Sequence, residues 1–160
     1  MPTPTYTPLA TVTLASSAAS VTFSSIPATY RDLVLVYNGA NSDSAQGLLL
    51  TLNSDTGSNY NIVSMNNSSN TPVSSSESNS NTPNIFFGTT ARTSGVAQFM
   101  DYSATDKHKT VLIRDNVEGS VVRATAIRWA NTAAITSIQI RRVSATINTG
   151  STFNLYGIAS

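Results

Sequence analysis

The sequence contains no cysteine. Disulfides and thiolate metal sites are therefore excluded, and stability must come from packing, oligomerisation or both. A single histidine, His108, leaves ordinary zinc coordination without its ligands. Charge is scarce too: only 11% of residues are Asp, Glu, Lys or Arg, against roughly 25% in an average soluble domain. The net charge is +1, with neither the basic excess nor the basic stripe of a nucleic-acid binder. No apolar run approaches the ~20 residues of a membrane-spanning helix. Met1-Pro2-Thr3-Pro4 has neither the basic nor the apolar region of a secretory signal. The expectation is a chain made in a cytoplasm, soluble, with no nucleic-acid or membrane partner.

What fills the space left by charge is Ser, Thr and Asn, more than a third of the 160 residues. Thr favours strands, while Ser and Asn favour turns. The length suits one domain, and 40% apolar content is enough for a core. Short strand signals follow one another, each bounded by turn residues: 9–14, 21–26, 30–37, 47–52, 60–65, 84–87, 96–103, 110–115, 121–130, 135–143 and 152–158. In the 30–37 segment Leu33, Leu35 and Tyr37 alternate with Val34 and Val36. Both faces are apolar, which predicts a central, well-covered strand. In 121–130, Arg123, Thr125, Ile127 and Trp129 fall on one face, and Val122, Ala124, Ala126 and Arg128 on the other. Spacing of this kind predicts an all-β antiparallel sandwich, jelly-roll-like, over residues 9–160. The predicted core is Leu33, Leu35, Leu50, Ile113, Ile127, Trp129, Ile138, Phe153 and Leu155.

Two segments fall outside the strand pattern. Residues 1–8 carry three prolines at positions 2, 4 and 8, which predicts an extended N-terminal arm. Pro2, Pro4 and Pro8 stiffen that arm, and Tyr6 offers an aromatic anchor with a polar tip. These four are the candidate assembly contacts. Residues 66–82 are nearly all Ser, Asn, Thr and Pro and predict a polar surface loop.

Catalytic motifs are thin. Asp55-Thr56-Gly57-Ser58 contains the triplet of aspartic proteases, whose chemistry needs two carboxylates sharing a proton. Asn53-Ser54 precedes it where those enzymes place an apolar strand, so the triplet reads as a hairpin turn. Lys107-His108-Lys109 reads as a solvated strand end, and Arg123, Arg128, Arg141 and Arg142 as solvated side chains covering apolar edges. Asn41-Ser42-Asp43 and Asn53-Ser54-Asp55 offer oxygens for calcium but no EF-hand spacing. No catalytic site, cofactor or metal is expected.

Several segments together resemble a group of small phage virion proteins, seen especially in cyanobacterial and other aquatic phages. They are Tyr6–Ala10, Val21–Pro27 running into Tyr30–Leu35, Asn53–Tyr60, Ala134–Ile138, and the closing Gly150–Ile158 with its Phe-x-Leu-Tyr-Gly-Ile strand. The resemblance spans nearly the whole chain apart from residues 66–82. It implies a virion structural protein, made in the host cytoplasm and placed on the capsid surface. The implied role is a decoration or cement protein that binds the major capsid protein as a small homo-oligomer, trimer or dimer. The same group also occurs at the ends of longer fibres, which implies the alternative of a tail-fibre or baseplate tip that binds host glycans. The short chain favours decoration.

Overall fold

Alternation of apolar and polar residues at period two places one set of side chains on each face of a strand. Eleven strands, most of them marked by it, and no helix occur among the residues described by the computed structural model: 4–43, 47–68, 71–81, 83–85 and 90–159. They are β1 (Tyr6–Thr13), β2 (Ser20–Phe23), β3 (Asp32–Gly39), β4 (Leu49–Leu52), β5 (Tyr60–Ser68), β6 (Thr71–Ser80), β7 (Thr93–Met100), β8 (Lys109–Val117), β9 (Val121–Trp129), β10 (Ile138–Arg141) and β11 (Thr152–Ile158). Every pairing between them is antiparallel.

The strands form an eight-stranded sheet, ordered β1-β11-β3-β7-β8-β9-β5-β6, and a three-stranded sheet, ordered β2-β10-β4. This is the expected all-β sandwich. The strands divide eight and three, however, rather than into the paired sheets of a jelly roll. The core lies between the sheets. Leu33, Leu35, Ile113, Ile127, Trp129, Phe153 and Leu155 from the large sheet meet Leu50 and Ile138 from the small one, each no more than 2% exposed. All nine residues of the predicted core are buried.

Four expectations change. The segment 66–82 is not a loop: β5 and β6 run through most of it as a hairpin paired from Tyr60↔Ser80 to Ser68↔Thr71. The ladder with β5 and a hydroxyl contact between Ser64 and Ser75 at 2.8 Å hold this polar edge strand, whose residues are nearly all exposed. The expected arm is shorter than eight residues, because β1 starts at Tyr6 and pairs with β11 through Tyr6↔Ile158 and Pro8↔Tyr156. Pro8 is tolerated because β1 is an edge strand. Finally, β3 is central but not covered on both sides, since Val36 is 36% exposed. The expected 84–87 strand is reduced to an isolated bridge, Asn84↔Leu49, with Phe86 and Phe87 outside the described residues.

Candidate assembly face

The three-stranded sheet covers only one face of the large sheet. On the other face, register aligns side chains in rows that cross the strands. One row runs Pro8, Tyr156, Val34, Gln98, Leu112, Ala126, Val63 from β1 to β5. The next runs Asn154, Val36, Val96, Arg114, Ala124, Met65. Val63, Met65 and Leu112 are 56%, 62% and 44% exposed. Met100 and Val122 extend the apolar surface to either side and are also exposed. Scattered exposed apolar side chains are ordinary, but a contiguous strip across the centre of a sheet marks a contact surface.

The face is not flat. Ala124 and Ala126 are short, so the strip dips between Leu112 on β8 and Val63 and Met65 on β5, leaving a groove of ≈ 470 Å³. A second hollow of ≈ 480 Å³ lies over Gly95, between Val36 and Arg114. Gly95 has no room for a side chain, because a Cβ there would sit 2.4 Å from the Tyr37 ring on the core side. Charge in the two central rows is of one sign, while Asp32 lies at the β3 end of the same face, paired to Arg31. Arg114 and Arg128 are exposed, with Arg128 donating to Asn61 Oδ1 at 2.8 Å, and neither central row holds a carboxylate.

The candidate contacts read from the N-terminus lie at the rim of this same face. Tyr6 is 56% exposed and packs edge-on against Tyr156, ring centroids 6.5 Å apart and planes at 86°. Pro8 is exposed beside it, Pro4 is exposed just before the strand, and Pro2 lies outside the described residues. What the sequence did not disclose is the strip itself. Its strands read from sequence as separate elements, and only the sheet order shows that they line up on a side of the large sheet that the three-stranded sheet does not cover.

The polar groups singled out as possible chemistry are largely engaged in the fold. Asp55 accepts from Trp129 Nε1–H at 2.7 Å, from Asn59 Nδ2 at 2.9 Å and from the Gly57 N–H at 2.9 Å. Burial opposes its ionisation, but these donors outweigh burial and hold its carboxyl below the ordinary value. The turn is therefore a clamp on the core tryptophan. Of Lys107-His108-Lys109, the first two are exposed as expected, with Lys107 paired to Asp101 at 3.2 Å. Lys109 is instead fully buried, its ammonium donating to the carbonyls of Lys107 at 2.8 Å and Thr132 at 3.0 Å. Burial pushes that ammonium below its usual pKa.

Arg123 and Arg142 are likewise buried rather than solvated. Arg123 holds Asp115 through Nε at 3.1 Å and Nη2 at 2.5 Å. The Tyr37 hydroxyl donates to Ile85 O at 2.8 Å and reaches the same carboxylate at 3.3 Å. Burial, with the Asp115 charge beside it, pushes the Tyr37 phenol well above its ordinary value. Arg142 pairs with Asp43 and donates to Gly47 O at 2.9 Å. A buried guanidinium is held by a carboxylate in both places because an unpaired charge there is very costly. The two segments considered for calcium thus have their carboxylates committed, Asp43 to Arg142 and Asp55 to Trp129. No group of three or more His, Asp or Glu that could hold a metal exists among the described residues, and no helix among them is long and apolar enough to cross a membrane.

No model of a known protein family and no curated protein matches the sequence.

Proposed function

We propose that this chain is a structural subunit that attaches to a larger protein assembly through the open face of its eight-stranded sheet. With the resemblance described above, that assembly is a phage capsid and the chain its decoration protein. The observation that carries the reading is the uncovered strip centred on Leu112, Ala124, Ala126 and Val63, bordered by Arg114 and Arg128 and by no carboxylate in its central rows. Its chemistry fits a partner surface that is apolar at its centre and acidic at its rim. A second copy docked face to face would bring no carboxylate of the central rows to meet Arg114, which argues for a different chain as the partner on this face. Tyr6 at the rim adds an aromatic contact of the kind favoured at interfaces.

Copy number in the virion tests the assignment. Densitometry of purified particles is expected to show the chain in numbers comparable to the major capsid protein. A few copies per particle would instead point to a fibre or baseplate tip and overturn the decoration role.

A further inference from the structure

On the opposite face of the large sheet, the core cover gives out along β5 and β6, where Ser75 and Glu77 are exposed. The inner-facing side chains there change character from row to row. Ile127 and Ile62 align with Glu77, then Thr125 and Ser64 with Ser75, then Arg123 and Asn66 with Val73. Ile62 and Thr125 are buried, while Ser75 and Glu77 are exposed, so the row opens from the core to solvent. Between the rows lies a recess of ≈ 190 Å³, with Asn84 on its wall. Ser64 Oγ and Ser75 Oγ are 2.8 Å apart across the hairpin. Thr125 is only 4% exposed, lines the recess, and its hydroxyl has no hydrogen-bond partner among the described residues. A buried hydroxyl without a partner is costly, which marks a place where something else supplies the bond.

We infer that this recess binds one ring of a neutral, hydroxyl-rich ligand, a monosaccharide unit or comparable cyclic polyol. Size comes first. The space equals about six waters at ~30 Å³ each, more than one bridging water needs and close to a single small ring. Charge comes next. The only guanidinium at the recess, Arg123, already holds Asp115 in a bidentate pair, and Glu77 adds a negative charge, so an anion is disfavoured. One carboxylate does not make a cation site, and no metal-holding cluster occurs among the described residues. The remaining groups are hydroxyls and carboxamides, which both donate and accept. Sugar hydroxyls do the same, and a carboxylate such as Glu77 accepts from two neighbouring ones. Ile62 supplies an apolar patch for the ring's C–H face. The inference stands apart from the assembly reading, because the recess opens on the other side of the sheet from the Leu112 strip.

Amide chemical shifts of the full ¹⁵N-labelled chain, followed while D-glucose, D-galactose, D-mannose or N-acetyl-D-glucosamine is added, test it. At least one sugar is expected to give saturable shifts at Ser64, Ser75, Glu77 and Thr125. Affinity is expected to fall by at least about tenfold in both Thr125→Val and Glu77→Gln, with melting unchanged or raised. Glu77 is exposed, so its variant reports binding even if the buried substitution perturbs folding. The inference is overturned by no saturable shift with any of the four, by shifts mapping outside the recess, or by unchanged affinity in Glu77→Gln. Saturable binding of inorganic phosphate at the same amides would overturn the assignment of a neutral ligand.

Discussion

Asp55 joins a surface turn to the largest fully buried side chain of the core, Trp129. Asn53 and Ser54 take positive φ of 50° and 60°, a tight turn that short polar side chains tolerate. Asn53 Oδ1 accepts from the N–H groups of Thr136 and Ser137 at 2.8 and 3.1 Å, fixing the turn to the chain before β10. Asp55 then reaches Trp129. Removing it in Asp55→Ala leaves the indole N–H without its partner and is expected to cost about 1.5–3 kcal/mol in denaturant unfolding, the range for hydrogen bonds to charged groups. The pH dependence has a definite sign. The folded carboxyl lies below the ordinary value of 3.8, so its contribution is full above about pH 5 and is lost as pH falls through the folded pKa. Asp55→Asn should flatten that part of the stability profile.

Tyr60 contributes to the alkaline limb together with Tyr37 and Tyr102, all three raised by burial, and its own phenol is pushed up to about 12 from 10.0. Its hydroxyl donates to Asp55 O at 3.0 Å and accepts from the Leu52 N–H at 3.1 Å. A raised phenol favours the folded state below its unfolded pKa, and that advantage is lost as pH climbs from 10 towards 12. Stability is expected to drop in that window, and less steeply in Tyr60→Phe. One glycine is also decisive. A Cβ on Gly157 would lie 2.4 Å from the Tyr30 ring, so Gly157→Ala must displace a packed aromatic. A loss of about 1–3 kcal/mol, the usual cost of overpacking, is expected in the melting midpoint.

At the scale of elements, strands with strong apolar alternation were legible from sequence, and polar ones were not. The alternation in β8 and β9 settles both the strands and their inward faces: Ile113, Ile127 and Trp129 are buried where the pattern put them. In β6, by contrast, Thr-Pro-Val-Ser-Ser-Ser-Glu-Ser-Asn-Ser has no apolar period, and its strand conformation comes from pairing with β5. Such pairing is a tertiary fact that no window of sequence contains. The same holds at the N-terminus, where Pro8 argues against a strand until the edge position of β1 is known. Truncation separates strand from tail. Removal of residues 1–4 should leave melting unchanged. Removal of residues 1–8 deletes the Tyr6, Thr7 and Pro8 pairs with β11 and should lower the melting temperature. The ion pairs were legible only as residues: Arg123 and Asp115 are eight apart in sequence, and the hairpin register of β8 and β9 brings them opposite each other.

At the scale of the whole molecule, the asymmetry of the sandwich governs how it behaves. Eight strands on one side and three on the other leave one broad sheet face without cover and one polar end of the inner face open. The low overall charge does little to keep other chains away from that face. The apolar strip lies on hydrogen-bonded strands rather than on loops, so docking there orders little that is not already ordered. Burying it against a partner recovers hydrophobic free energy that the isolated chain leaves unused.

Co-sedimentation with capsid shells tests the central claim most directly, comparing the natural chain with Val63→Asp/Leu112→Asp. Both positions are exposed on the open face, so the double variant should keep its circular dichroism spectrum and melting temperature. The natural chain is expected to pellet with shells built from the major capsid protein, while the variant stays in the supernatant. A folded variant that decorates shells to full occupancy would contradict it.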